Sequence, residues 1–150
     1  MDLQEPTKKM STTGGTPQGT LLMLDPPDVI RKKVRSAVTD SGSEVRRGHD
    51  KPGVTNLIDI MSVATGESAD AIVARYDGGG YGQFKGDVAE AVVELLSPIQ
   101  DRYAALRGDP AELARLLAVG AEKAGAAAAP TLEAMYERMG FVRLGTPSAP

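Results

Sequence analysis

The sequence lacks cysteine and tryptophan, and it has a single histidine, His49. The absence of cysteine excludes disulfides, thiolate metal sites and cysteine nucleophiles. A single histidine excludes most histidine-based catalytic triads and any metal site built from several histidines. Because the 150 residues include two phenylalanines and no tryptophan, the core must consist mainly of aliphatic residues, methionine and alanine.

Long apolar runs are also missing, since no stretch of about 18 apolar residues occurs. The first residues, MDLQE, lack the basic and then apolar segments of a signal peptide. We therefore expect a soluble, cytoplasmic protein without a membrane partner. A hydrophobic content of 41% over 150 residues suffices for one domain with a real core.

Positive charge is scarce overall but locally concentrated. The net charge is −3, yet residues 1–51 hold nine Lys and Arg against seven Asp and Glu. Residues 52–150 hold eight against thirteen. An acidic chain of this kind is not a general nucleic-acid binder and is not expected to bind DNA, so any anionic partner must meet a local basic patch.

The residue pattern predicts a mainly α protein: a helical bundle preceded by a polar loop and a short strand. Residues 1–19 are rich in Pro, Gly, Ser and Thr, which is typical of a loop. The apolar run TLLML, residues 20–24, fits a short buried strand. Asp25 is predicted to cap a helix that runs to about residue 39. Its inward residues would be Ile30, Val34, Ala37 and Val38.

Four further helices are predicted downstream. One covers 54–65 and is closed by Gly66, and Ser68 caps a short third helix. The glycines of DGGGYG, residues 77–82, break the chain, because each costs roughly 1 kcal/mol inside a helix. A long amphipathic helix follows over about 83–107, and a last one runs from Asp109 to about residue 140. Kinks are expected at Pro98 and Pro130, and the core-facing stripe of the long helix comprises Phe84, Val88, Val92, Leu95, Ile99, Tyr103 and Leu106.

The first candidate site is the opening loop, PTKKMSTTGG. Its glycines allow backbone amides to turn toward an anion, while Lys9, Ser11, Thr12 and Thr13 offer a charge and hydroxyl donors. It does not have the spacing of a P-loop. Composition alone leaves two interpretations, a phosphate-binding loop and a flexible linker.

The second candidate is a basic cluster on the first helix and the loop after it. It could hold RNA phosphates, or it could be a solvated helix face with cations near the helix C-terminus. Its predicted RNA-binding residues are Arg31, Lys32, Lys33, Arg35, Arg46 and Arg47, with Lys51 close by.

Five stretches, in this order, resemble one known family. DLQEPTKKMSTT is similar to the region leading into the KMSKS signature of class I aminoacyl-tRNA synthetases. The others resemble the C-terminal half of bacterial tryptophanyl-tRNA synthetases: IRKKVRSAVTDS, DKPGVTNLIDIMSVATG, YGQFKGDVAEAVVELLSPIQ and MYERMGF. The resemblance covers roughly residues 2–144, and its specificity lies in the order of the motifs.

The resemblance implies activation of tryptophan with ATP and Mg²⁺, followed by transfer to its tRNA. In the family, the KMSKS loop closes over the ATP pyrophosphate and the helical domain recognises the tRNA anticodon. Lys9, Met10 and Ser11 match the first three signature positions, which makes Lys9 the implied catalytic residue and residues 9–13 the implied ATP contacts. Thr12 stands where the second lysine is expected and Thr13 where the last serine is.

Nothing in the chain matches the HIGH motif or the Rossmann half of the family. We therefore expect residues 1–24 to form the loop and the edge of a missing catalytic domain, 25–144 a tRNA-binding domain, and 145–150 a disordered tail. The chain alone is not expected to be an active ligase. Its expected partners are the tRNA for tryptophan, the missing half and a second copy in a homodimer. The alternatives are a non-catalytic RNA-binding or regulatory module, and a helical scaffold that binds only protein.

Overall fold

The computed structural model describes residues 1–141 and is mainly α. Its elements are α1 (Pro27–Arg35), α2 (Pro52–Thr65), α3 (Ala69–Arg75), α4 (Tyr81–Gly108) and α5 (Pro110–Met139). The chain divides into a first unit, Met1–Tyr103, and a second unit that begins at Ala104. The predicted tail, 145–150, lies outside the described residues.

The first unit has a core built from α1, α2, α3 and the first turns of α4. Helical spacing puts one apolar stripe of each helix inward, as the sequence predicts. Aliphatic residues dominate this core, and Phe84 and Tyr76 contribute an edge-to-face ring pair with centroids 5.0 Å apart. The fully buried side chains are Leu3, Ile30, Val34, Val54, Leu57, Ile58, Ile72, Phe84 and Val88.

The helix ends that depend on local chemistry are confirmed. Gly66 ends α2 with φ 78°, a left-handed conformation that favours glycine. The Ser68 side chain accepts a hydrogen bond from Ala71 N at 3.3 Å and so caps α3. Asp109 caps α5 by accepting from Glu112 N at 3.0 Å.

Two predictions for residues 20–25 are wrong. The short strand at 20–24 is not formed, because no neighbouring strand supplies hydrogen bonds among the described residues. Instead a turn forms in which Asp25 N donates to Leu22 O at 3.0 Å. Asp25 does not cap α1 either: its carboxylate accepts from Leu22 N at 2.9 Å and from Lys33 Nζ at 2.6 Å.

The first helix is also shorter than predicted, since α1 ends at Arg35. Ala37 is still buried, but Val38 is 46% exposed and not inward as predicted. Val38 N donates to Leu3 O at 2.8 Å, so the backbone here pairs with the N-terminal loop instead of continuing the helix.

The apolar stripe of α4 is confirmed over its first half. Phe84, Val88 and Val92 are buried, whereas Leu95 and Ile99 are 40% and 39% exposed. Tyr103 is 45% exposed, and α5 has no buried residue. The two prolines, Pro98 and Pro130, lie inside continuous helices, and the kinks predicted there stay predictions.

Candidate functional site

The N-terminal loop is bound to the helical core at its base. Leu3 is buried, its N donates to Gly19 O at 2.8 Å, and its O accepts from Val38 N at the same distance. From α2, the buried Asn56 side chain donates to Met1 O at 3.1 Å and to Asp2 O at 3.2 Å. Because these contacts close the base of the loop, the residues between them form a defined surface structure and not a linker.

A turn stabilised by Asp2 brings the two lysines to the surface. The buried Asp2 carboxylate accepts from Gln4 N at 2.8 Å and from Glu5 N at 3.0 Å, and Asp2 N donates to Lys8 O at 2.8 Å. Lys8 forms an ion pair with Glu5, and the hydrogen bond within this pair raises the pKa of the lysine. Lys9 is exposed and has no ion-pair partner in the part of the chain that the structure describes.

The tip of the loop is a tight turn organised by Ser11. Its Oγ accepts from Gly14 N at 3.0 Å and from Thr13 N at 3.3 Å, while its carbonyl accepts from Gly15 N at 3.2 Å. Thr12 and Thr13 are exposed on this turn. Their hydroxyls and the Lys9 ammonium are donors, which suits phosphate oxygens. Met10 differs from these residues, since it packs partly buried against the core.

The basic residues predicted on α1 are placed in three different environments. Arg31 forms a bidentate ion pair with Glu90 of α4, at 2.7 and 2.8 Å. Lys33 is buried and donates to Asp25 and to the Thr20 carbonyl. Lys32 and Arg35 are exposed and have no ion-pair partner among residues 1–141. Of the four basic residues predicted on α1, these two are the ones without a direct ion pair in the described part of the chain, although the pKa of Glu90 is lowered by the hydrogen bond from Arg31 and also by the charge of Arg35.

The two arginines predicted in the following loop are paired. Arg46 donates to Asp50 Oδ2 at 2.6 Å and to Glu44 Oε2 at 2.9 Å. Arg47 lies 2.9 Å from an Asp59 carboxylate oxygen. The structure therefore does not gather all six predicted cations into one free patch.

Sequence reasoning missed a polar cluster that joins this loop to the start of α4. Lys51 Nζ donates to Asp40 Oδ1 at 2.9 Å and to Tyr81 OH at 2.7 Å, and Tyr81 OH contacts Asp40 Oδ2 at 2.8 Å. The hydrogen bond from Lys51, with that from Tyr81, lowers the pKa of Asp40 to about 2. Lys51 is only 7% exposed, although the sequence places it in a run of exposed polar residues. Asp40 and Tyr81 are 41 residues apart, and no periodic pattern links positions at that distance. The sequence alone therefore contains no signal for this cluster.

Within the described ranges, no group of three or more His, Cys, Asp and Glu side chains is arranged to hold a metal ion. His49 is exposed. No helix among residues 1–141 is both long and apolar enough to span a bilayer.

Comparison with known proteins gives a consistent result. The family model for tRNA synthetases class I (W and Y) matches residues 1–97. The tryptophan–tRNA ligase of Clostridium perfringens is 48% identical over 142 residues, which are 95% of this chain and 43% of that protein. The corresponding ligase of Enterococcus faecalis is 51% identical over 144 residues, with the same coverage of 95% and 43%.

The fold agrees with this match. The crystal structure of tryptophanyl-tRNA synthetase from Mycoplasma pneumoniae superposes with a TM-score of 0.82 at 32% identity, covering 97% of this chain and 43% of that one. The chain thus spans less than half the length of these relatives. The resemblance inferred from the motifs is confirmed: the chain belongs to the class I tRNA synthetase family of tryptophan and tyrosine enzymes.

Proposed function

We propose that this chain is part of a tryptophan–tRNA ligase, in which it supplies the loop that closes over ATP and a helical domain that binds tRNA. The observation that carries this proposal is the identity of 48% to the Clostridium perfringens ligase across 95% of the chain. The proposed division is a loop segment, 1–24, and a tRNA-binding domain beginning at residue 25. ATP with Mg²⁺ and the tRNA for tryptophan are the proposed ligands.

The loop supports the ATP role because its base is fixed while its tip exposes donors. Thr12 and Thr13 are exposed on the turn, Lys9 is exposed two residues before Ser11, and the Ser11 hydroxyl oxygen accepts hydrogen bonds from two backbone amides of the turn. Lys9 would bind the phosphates and stabilise charge that develops on the leaving pyrophosphate. Mg²⁺ would accompany the phosphates, and we assign it no carboxylate of this chain. The hydroxyl of Thr12 can donate one hydrogen bond but adds no charge.

The surface proposed for tRNA is the exposed face of α1 at Lys32 and Arg35. These two cations are free to contact phosphates, and contacts of this kind are weakened by salt. Arg31, Arg46 and Arg47 can contribute if tRNA phosphates compete with their carboxylate partners. We place Lys33 outside this surface, because its ammonium is buried against Asp25.

An apolar surface beside the loop supports the proposal that the chain works within a longer polypeptide. Leu22, Met23 and Val63 are 45%, 57% and 79% exposed, and with Met10 and Leu95 they line one groove. Apolar exposure of this kind marks interaction surfaces. The missing catalytic half is the occupant that we propose, and a homodimer would be formed by the complete enzyme.

The test is a chimera in which this chain replaces the matching part of the Clostridium perfringens ligase. We expect tryptophan-dependent ATP–pyrophosphate exchange by the chimera and none by the 150-residue chain alone. The parent ligase is the positive control, and melting temperature together with tryptophan binding shows that the chimera is folded. A folded chimera that binds tryptophan but catalyses no exchange would contradict the ligase proposal.

The replacement of the signature lysine by Thr12 favours one alternative, a non-catalytic RNA-binding module. That alternative predicts tRNA binding by the isolated chain and no exchange by the chimera, even after Thr12→Lys. Weak exchange by the chimera that increases after Thr12→Lys would instead indicate a catalytically weakened loop in a true ligase.

A further inference from the structure

A buried lysine joins the loop to α1. Lys33 is 7% exposed, and its ammonium donates to Asp25 Oδ2 at 2.6 Å and to Thr20 O at 2.8 Å. The same carboxylate oxygen of Asp25 accepts from Leu22 N at 2.9 Å. One cation therefore fixes residues 20–25, the segment through which the chain leaves the loop, against the first helix.

Thr20 extends this connection to the tip of the loop. Its side chain is buried, and Oγ1 donates to Ser11 O at 3.3 Å. The approach at this point is close: a Cβ on Gly15 would lie 2.6 Å from Ser11 O and 2.9 Å from Thr20 Oγ1. The contacts thus run without a break from α1 through Lys33 and Thr20 to Ser11, the residue that organises the turn.

We propose that Lys33 and Thr20 are positioning residues for the loop, and that Lys33 is not an RNA contact. This inference rests on the proposed function for its catalytic consequence, but its structural part stands on the contacts alone. Lys33 acts from inside the molecule, whereas its neighbour Lys32 faces solvent. The two adjacent lysines of α1 therefore serve different tasks.

The physical reason is the precision that phosphate chemistry requires. A group that stabilises a transition state must lie within hydrogen-bond distance of the reacting oxygens, and a misplacement of about 1 Å can cost about 100-fold in rate. Hydrogen bonds from a buried ammonium are stronger than neutral ones, so they limit movement of the loop base. Lys9 and Thr12 then keep a set position relative to α1.

The structural test measures amide hydrogen exchange in the 150-residue chain. Thr20→Val removes the hydroxyl and keeps the shape, and Thr20→Ser is the matched control that retains the hydroxyl. In Thr20→Val we expect the Gly15 amide to exchange about tenfold faster, a change that corresponds to the loss of one weak contact. The α2 amides of Leu57 and Ile58 should exchange at the unchanged rate. Unaltered exchange at Gly15 would overturn the proposal, as would an equal increase in Thr20→Ser.

The functional test uses the chimera and compares Lys33→Met with Lys32→Met. For Lys33→Met we expect kcat for ATP–pyrophosphate exchange to fall at least about tenfold, with unchanged KM for tryptophan and unchanged affinity for tRNA. Lys33→Arg should restore most of the rate, because it keeps a buried cation beside Asp25. Lys32→Met should weaken tRNA binding, which is the effect that Lys33→Met is expected not to have.

Two results separate this inference from its alternatives. If Lys33→Met weakens tRNA binding as Lys32→Met does and leaves kcat intact, Lys33 is a phosphate contact and the inference is wrong. If the unsubstituted chimera is inactive, the proposed function fails, and hydrogen exchange of the Gly15 amide, measured in Thr20→Val and in Lys33→Met, decides the positioning role. Should Lys33→Met not fold, Thr20→Val provides the same kinetic comparison.

Discussion

The five lysines among residues 1–51 have different surroundings. Lys33 and Lys51 are both 7% exposed and bind carboxylates, and Lys8 pairs with a neighbouring glutamate. Lys9 and Lys32 are exposed and, within residues 1–141, have no ion-pair partner. The last two therefore carry the charge that is available to a phosphate, one on the loop and one on α1.

The first prediction concerns Lys9. In the chimera, Lys9→Ala should lower kcat for ATP–pyrophosphate exchange by about 100-fold or more, because it removes a donor that stabilises developing charge. Lys8→Ala is the control, since Lys8 already shares its charge with Glu5. Steady-state exchange kinetics would decide, and equal losses in the two variants would exclude a specific role for Lys9.

The second prediction concerns the pH dependence of stability. The hydrogen bond from Lys51 lowers the pKa of Asp40 to about 2 in the folded protein, against 3.8 for an ordinary aspartate. A carboxyl group whose pKa is lowered by folding stabilises the protein at pH values above its pKa in the unfolded chain. This contribution is lost as the pH falls through its pKa in the folded protein. The stability advantage of the unsubstituted chain over Asp40→Asn should therefore be complete above about pH 4 and disappear as the pH approaches 2.

Urea denaturation at a series of pH values measures this difference. Asp77→Asn is the control, because Asp77 is exposed and has no hydrogen-bond partner in the described part of the chain. A difference for Asp40→Asn that does not change between pH 5 and pH 2.5 would show that the cluster does not depend on the charge of Asp40.

At the residue scale, the sequence and its motif indicate which side chains have the chemistry to bind phosphate, and this role stays a prediction. The structure adds that Lys9 is exposed. Whether a cation on α1 is free depends on acidic residues far along the chain, such as Glu90 for Arg31. Such pairs are set by tertiary packing, which local patterns do not contain.

Among the helices, α2 has the most buried residues, six against four in α4. Gly53 lies in its first turn, and a Cβ there would overlap the carbonyl oxygen of Val38 and lie 3.2 Å from Thr39 Cα. This close approach lets the segment after α1 pass directly across the start of α2.

The third prediction tests this contact. Gly53→Ala should destabilise the chain by about 1–3 kcal/mol, because backbone atoms must move to make room. Gly86→Ala, in α4, should stabilise it by about 0.5–1 kcal/mol, since the added methyl group meets no atom within 4 Å beyond its chain neighbours and the backbone of its own helix, and alanine favours the helix. Thermal denaturation gives both values, and a neutral Gly53→Ala would contradict the packing described.

Element boundaries divide into those that local chemistry sets and those that it does not. Ser68 caps the start of α3 and Gly66 the end of α2 through hydrogen bonds to nearby residues, so local patterns predict both correctly. Asp25 has the right type and position for a cap, but the more distant Lys33 binds its carboxylate. The strand at 20–24 failed for a related reason, because a strand requires a partner that lies elsewhere in the chain.

At the scale of the whole molecule, the described residues include large apolar side chains that are exposed. Leu117 and Phe141 of the second unit are 65% and 61% exposed, and α5 has no buried residue. Helices in proteins gain most of their stability from the packing of an apolar face. This exposure agrees with a chain that spans 43% of its Clostridium perfringens relative.

The fourth prediction concerns tRNA binding by the isolated chain. The double substitution Lys32→Gln with Arg35→Gln should weaken binding. It should also reduce the slope of log affinity against log salt concentration by the amount expected for about two phosphate contacts. The control is Arg107→Gln with Lys123→Gln, which removes the same charge from exposed positions in the second unit. Filter binding or fluorescence titration measures the affinity of both double variants for tRNA. Salt concentrations between about 50 and 200 mM are used, because phosphate contacts weaken strongly over this range. Equal losses in the two pairs would show a dependence on net charge alone.

The most direct test of the central claim is tryptophan charging by the chimera of this chain with the remainder of the Clostridium perfringens ligase. We predict formation of tryptophanyl-tRNA that requires ATP and that is absent with either part alone. A folded chimera that binds tryptophan and tRNA but forms no tryptophanyl-tRNA would contradict the claim that this chain is the ATP-closing and tRNA-binding part of such an enzyme.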